Sequence, residues 1–312
     1  MSKKMQRALV KYLEICKRIL SVASRHTNKE DFIAEIINQI SFRHTKELYE
    51  IWFKECLEKR DWQGVNSLIF QQNRLELIPG SASGYDHCIR FSKLLNSVAC
   101  GDFEAVNKII PPDIVASKNG YTLLVVGINL FFAMWYKDEV KLEVALKVAR
   151  KFISSKKPAN ERAQIASIVG ICDKDAESIS ENLQAFCAGY NKTDVLPYKK
   201  LLCMPAHGIY CLAKILLDEE IFSQIKMPKH QNFSREFAAW RNENQKPELN
   251  LYFTYPKELE IFNQIFMHPP VKSMLHQPYK DHERVPYWYI DEKAMVRAFA
   301  KQIADKLRSE IK

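Results

Sequence analysis

The feature that most constrains this chain is a stretch that occurs twice, as Lys59-Arg60-Asp61-Trp62-Gln63-Gly64-Val65-Asn66-Ser67-Leu68-Ile69 and as Cys100-Gly101-Asp102-Phe103-Glu104-Ala105-Val106-Asn107-Lys108-Ile109-Ile110. Each copy reads as a helix start. An Asp caps the free N–H groups, an aromatic follows, a small residue permits close packing, and aliphatic residues recur on one face. A fainter third copy is Asp175-Ala176-Glu177-Ser178-Ile179-Ser180. A helical-hairpin unit repeated at such a spacing predicts an all-α fold of stacked hairpins, an α-solenoid-like array that offers an extended binding surface rather than a catalytic cleft.

Other helix signals agree. Thr27-Asn28-Lys29-Glu30 reads as a capping box ahead of Phe32, Ile33, Ile36, Ile37 and Ile40. Pro158, Pro197, Pro205 and Pro256 each stand where the first turn of a new helix tolerates proline. Pro79 to Gly84 reads as a loop, and Pro111-Pro112 ends the helix begun by the second repeat. No segment sustains period-2 alternation, so no large sheet is expected. From about Met227 prolines crowd the chain until a last helix after Asp291 that carries Met295, Phe299, Ile303 and Leu307. The expected organisation is a hairpin array over residues 1–225 and a proline-punctuated, partly irregular region over 226–312, packed on the array as one continuous body and ending in a helix.

Composition excludes several function classes. The chain has nine glycines in 312 residues and neither Gly-x-Gly-x-x-Gly nor Gly-x-x-x-x-Gly-Lys, which argues against a phosphate-cradling loop. The most apolar run, Tyr121 to Tyr136, is shorter than the roughly 20 residues of a membrane span and contains Asn129, so a buried helix is expected there. The eight cysteines sit in apolar helical patterns without a Cys-x-x-Cys pair and read as reduced core residues. With no signal-peptide core after Lys3, Lys4 and Arg7, the expected location is the cytoplasm.

The net charge is +9, and residues 1–30 hold eight basic side chains against Glu14 and Glu30. That excess favours acidic partners, nucleic acid among them, through attraction that salt weakens. The plainer reading is a solvated helix face, because Leu9, Cys16 and Ala23 fall on the opposite side.

Three constellations could carry chemistry. Cys203, His207 and Cys211 are four residues apart, the spacing that brings metal ligands, or a thiolate and its base, to one helix face. A fourth ligand is missing nearby, and Pro205 makes Cys203 pre-helical. The favoured reading is two small core cysteines and a buried, hydrogen-bonded histidine, with a metal or thiol enzyme as the sharper alternative. His268, His276 and His282, with Asp281 and Glu283, match no metal signature and read as loop residues. Pro286-Tyr287-Trp288-Tyr289, beside Arg284 and His282, would anchor a partner if exposed; burial against the last helix is the expectation. No catalytic, cofactor-binding or metal-ligating residues are assigned, and the chain is not expected to be an enzyme.

The C-terminal third contains phrases more particular than generic helix. They are Leu196-Pro197-Tyr198-Lys199-Lys200-Leu201-Leu202-Cys203-Met204-Pro205-Ala206-His207-Gly208, Pro228-Lys229-His230-Gln231-Asn232-Phe233 and Phe253-Thr254-Tyr255-Pro256-Lys257-Glu258-Leu259. With Gly101-Asp102-Phe103 and Leu275-His276-Gln277-Pro278-Tyr279, they resemble the immunity protein 49 family of bacterial polymorphic toxin systems. The resemblance implies a largely helical, non-catalytic cytoplasmic protein that binds a cognate toxin domain and blocks it by occlusion, across an interface of roughly 1,600 Å². It carries over no functional residues. Inhibitors of nucleases tend to be acidic, whereas this chain is basic, which points to an acidic partner or a toxin that is not a nuclease. The alternative from another class is a nucleic-acid-binding helical-repeat protein that uses the basic N-terminal helix.

Overall fold

One tight turn organises the helices. At Arg60-Asp61, Gly101-Asp102, Lys137-Asp138 and Lys174-Asp175 the first residue is left-handed, with φ of 56°, 81°, 53° and 55°; these four are the described residues with positive φ. The Asp N–H then reaches back to the carbonyl five residues earlier, on Cys56, Ser97, Ala133 and Gly170, at 2.8–3.0 Å. The same Asp turns forward and its carboxylate accepts from the N–H three residues on, at Gly64, Ala105, Lys141 and Ser178. One residue thus closes the helix before it and caps the helix after it, which satisfies orphaned groups at both ends. Asp138 is a copy that the sequence reading does not contain.

The computed structural model describes residues 3–40, 46–80, 84–277 and 287–309. Among these it is all-α: α1 Lys3–Ala23, α2 Lys29–Ile40, α3 Lys46–Lys59, α4 Trp62–Leu77, α5 Phe91–Cys100, α6 Phe103–Ile109, α7 Thr122–Trp135 and α8 Glu139–Ile153. There follow α9 Ala159–Asp173, α10 Ala176–Tyr190, α11 Pro197–Leu201, α12 Met204–Leu216, α13 Glu219–Phe222, α14 Arg235–Glu243, α15 Glu260–Met267 and α16 Glu292–Ser309. The two short strands, β1 Leu275–His276 and β2 Tyr289–Ile290, pair antiparallel. At α2 the cap is Asn28, whose Oδ1 accepts from the Glu30 N–H at 2.8 Å, rather than Thr27 of the expected box.

The four Asp turns join α3 to α4, α5 to α6, α7 to α8 and α9 to α10; α4 packs on α5, α5 on α7, and α8 on α9, which carries the stack from α3 to α10. The chain then turns back. Helix α12 lies on α5, α11 on α3, α15 on α4 and α16 on α2. Two apolar cores result. One is built on α5 to α10 and α12, around Phe91, Phe131, Ile168 and Phe186. The other joins α1 to α4 with α15 and α16, around Ile36, Phe53, Phe262 and Phe299, so the two ends of the chain share one core. The Tyr12 and Tyr255 hydroxyls hydrogen-bond inside it, 243 positions apart in sequence. No described helix is long and apolar enough to cross a membrane. The run from Tyr121 forms α7, largely buried as expected.

Candidate functional site

The Cys203, His207 and Cys211 set is part of the packing. Cys203 precedes α12 and its N–H donates to the Asn232 carbonyl at 2.7 Å. Burial pushes the thiols of Cys203 and Cys211 upward, which disfavours the thiolate that a nucleophile or ligand needs. His207 is 1% exposed and stacks on Phe233 with ring centres 4.1 Å apart and planes 8° from parallel; Phe237 meets it edge-on. The expected hydrogen bond is absent, since neither ring nitrogen has a partner among the described residues. The ring is held by aromatic contact instead, and burial pushes its pKa down to about 3. No group of three metal-ligating side chains occurs among the described residues.

This arrangement gives a pH prediction. His207 is neutral in the folded chain down to about pH 3, but in the unfolded chain it takes a proton below its ordinary value of 6.5. Its contribution is therefore fully present above pH 6.5 and lost as pH falls from there toward 3. His87, pushed down to about 4 by burial, acts with the same sign. His207→Leu removes two unpaired buried nitrogens and should be neutral or stabilising by about 1 kcal/mol at pH 7. It should also lessen, without abolishing, the loss of stability between pH 6.5 and 4. Parallel acid-unfolding curves for the two proteins would contradict this.

Of the second histidine set, His268 is half-buried edge-on to Phe299, and His276 lies 3.8 Å from an Asp291 carboxylate oxygen. Asp281, His282, Glu283 and Arg284 lie outside the described residues, as does Pro286. The expected burial of the neighbouring aromatics holds only in part. Tyr287 is 41% exposed, while Trp288 and Tyr289 are half-buried.

Several ion pairs in the interior hold helices together. Burial raises the Glu76 pKa, but Lys199 and Lys93 outweigh it and keep the carboxylate below its ordinary range. Gln72 Nε2 donates both to Glu76 (2.7 Å) and to the Tyr198 hydroxyl (3.0 Å), which ties α11 to α4. Arg90 pairs with Glu292 at 3.3 Å and joins the end of the chain to the turn before α5. Asp102 receives Arg74 through two hydrogen bonds, and Arg74 continues to the His268 carbonyl at 2.7 Å.

The surface offers two features. The first is α1, where Lys3, Lys4, Arg7, Lys11, Lys17 and Arg18 are exposed opposite the buried Met5, Tyr12, Cys16 and Ile19. The second is an apolar groove of about 230 Å³ between the α7–α8 hairpin and the segment Ile114-Val115-Ala116. Its near wall is a ridge on α8, where Val140, Val144 and Val148 are 78%, 64% and 49% exposed. Buried His87 and Phe132 on α7 also line it.

The far wall of the groove is fixed in place. Asp86, nearly fully buried, accepts from Cys88 N, Ser117 Oγ, Lys118 N and Asn119 N at 2.7–2.9 Å. Burial raises its pKa, but these donors prevail and hold the carboxyl below its ordinary value. Asn129, the polar residue inside the apolar run, accepts from Ser117 N (2.8 Å) and donates to Ser117 O (2.9 Å). The groove is thus preformed rather than a gap between loose segments.

No family model, curated protein or solved structure matches this chain, so the resemblance to immunity proteins rests on the quoted phrases.

Proposed function

We propose that this chain is a non-catalytic immunity protein, acting in the cytoplasm, that binds a cognate toxin domain and covers its working face. The observation that carries this reading is the set of C-terminal phrases, from Leu196-Pro197-Tyr198 to Phe253-Thr254-Tyr255-Pro256, that resemble the immunity family. Support comes from the stack of helical hairpins, an architecture that offers a broad surface, and from buried ion pairs that tie helices together.

Co-expression with a toxin domain that co-elutes with the tagged chain tests the reading. Growth should be restored, and titration of purified proteins should reach full inhibition near one-to-one. Toxin that stays active in excess of this chain would sink the proposal.

A second reading, nucleic-acid binding through α1, is favoured by one observation, the six basic side chains exposed on that helix. It requires affinity for DNA or RNA that falls steeply between about 50 and 200 mM salt. No binding of a labelled duplex or single strand at low salt would remove it.

A further inference from the structure

Helix α8 carries two apolar stripes. One, with Ala145, Ala149 and Phe152, is buried in the hairpin stack. The other, Val140-Val144-Val148, faces outward at i, i+4, i+8 and spans roughly 12 Å along the helix. A second exposed stripe adds nothing to the fold and marks a contact surface when it adjoins a groove. This stripe is the rim of the groove whose far wall is clamped by Asp86 and Asn129, so little ordering remains to be done on binding.

The charges around it are mostly basic. Positions three apart are neighbours on a helix surface. Lys141 lies three before Val144, Lys147 three after Val144 and Lys151 three after Val148, with Glu143, three after Val140, as the one acid in that row; Lys137 stands in the turn before α8. Lys141 is paired with Asp138, whereas Lys137, Lys147 and Lys151 hold no ion pair among the described residues. Of the charged side chains of α8 only Lys141 lines the groove itself, and Glu139, Glu143, Lys147 and Lys151 are exposed around it.

We propose that this groove is the docking site for an acidic amphipathic helix of a partner protein, with its aliphatic residues between the Val ridge and Ile114-Val115 and its carboxylates on the lysine fringe. A second copy of this chain would bring the two lysine fringes together, and a flat anionic membrane would not fill a concave site lined by small valines. The inference shares with the immunity reading only that the partner is a protein.

The test uses the full chain and a labelled 18-residue helical peptide with leucines at i, i+3, i+4 and i+7 among glutamates. Its controls are the same composition scrambled, the same helix with lysine for glutamate, and vesicles containing an anionic phospholipid. Saturable binding of the acidic helix is expected, weakened about tenfold by Val144→Glu and several-fold by Lys147→Glu with Lys151→Glu. These side chains are exposed, so the variants should unfold at the wild-type denaturant midpoint. Equal binding of the scrambled peptide, indifference to Val144→Glu, preference for vesicles, self-association lost in the variant, or no saturable binding would each overturn the proposal. None of these outcomes depends on a toxin being found, so the groove and the immunity reading fail separately.

Discussion

Asp102→Ala is expected to destabilise the protein by about 3–5 kcal/mol, the range for stranding one member of a buried ion pair. Asp102 is 1% exposed and does three things at once. It closes α5 through its N–H, caps α6 by accepting from Ala105 N at 3.2 Å, and receives Arg74 at 2.7 and 3.0 Å. Without it the Arg74 guanidinium stays buried over the Phe70 ring with the His268 carbonyl as its remaining hydrogen-bond partner among the described residues. The matched control is Asp61→Ala, since Asp61 makes the same turn but is exposed and holds no ion pair among the described residues. Loss of a cap alone costs about 1 kcal/mol. Urea unfolding at neutral pH separates the two, and equal costs would show that the buried pair contributes nothing beyond the cap.

The second large effect is expected at Gly208, inside α12. A Cβ there would stand 2.1 Å from the Leu95 carbonyl oxygen and 2.7 Å from its carbon, so the backbones of α12 and α5 touch directly. Backbone cannot rotate away as a side-chain tip can, and Gly208→Ala must push apart two helices that meet in the first core. Overpacking of this kind costs about 1–3 kcal/mol, and contact with backbone places this site at the upper end. Helix propensity alone predicts the opposite sign, a gain of about 1 kcal/mol for Ala over Gly. The sign of the change in denaturation midpoint therefore decides between them. Gly84→Ala, where a Cβ meets nothing within 4 Å, should stay within about 0.5 kcal/mol of wild type.

How much of this was legible in the sequence depends on how local each signal is. The Asp turn is local: Asp61 and Asp102, each followed by an aromatic and a small residue, read as clear copies and Asp175 as a fainter third. Asp138 was missed because Glu139 and Lys141 occupy those places. What the four copies share is a residue able to turn left-handed, an Asp, and an aliphatic at the fourth position after it: Val65, Val106, Leu142 and Ile179. The burial of His207 was readable from its apolar helix, but its lack of hydrogen bonds was not, because Phe233 approaches from a segment 26 positions away.

The C-terminal phrases show the opposite case, visible as particular strings yet unplaceable by periodicity. Their roles are long-range bonds between side chain and backbone. Gln71 exchanges two hydrogen bonds with the Phe253 backbone at 2.9 and 3.0 Å, and Asn232 donates to the Cys187 carbonyl at 2.9 Å. Asn263 makes the same two-way contact with the backbone of Tyr255. Such contacts hold irregular chain in place where no helix or sheet supplies partners. These residues of the phrases thus hold the fold. The exposure of the Val140-Val144-Val148 ridge is not legible in the sequence, because an i, i+4, i+8 stripe reads the same whether it faces the core or solvent.

The most direct measurement is affinity capture of the tagged full chain from the cell that makes it, at moderate salt, with mass spectrometry of what co-elutes. The account predicts one large toxin-bearing protein in near-equal amount, retained as salt rises. Recovery of nucleic acid or ribosomal proteins that wash away with salt would contradict it and give the function to the basic face of α1.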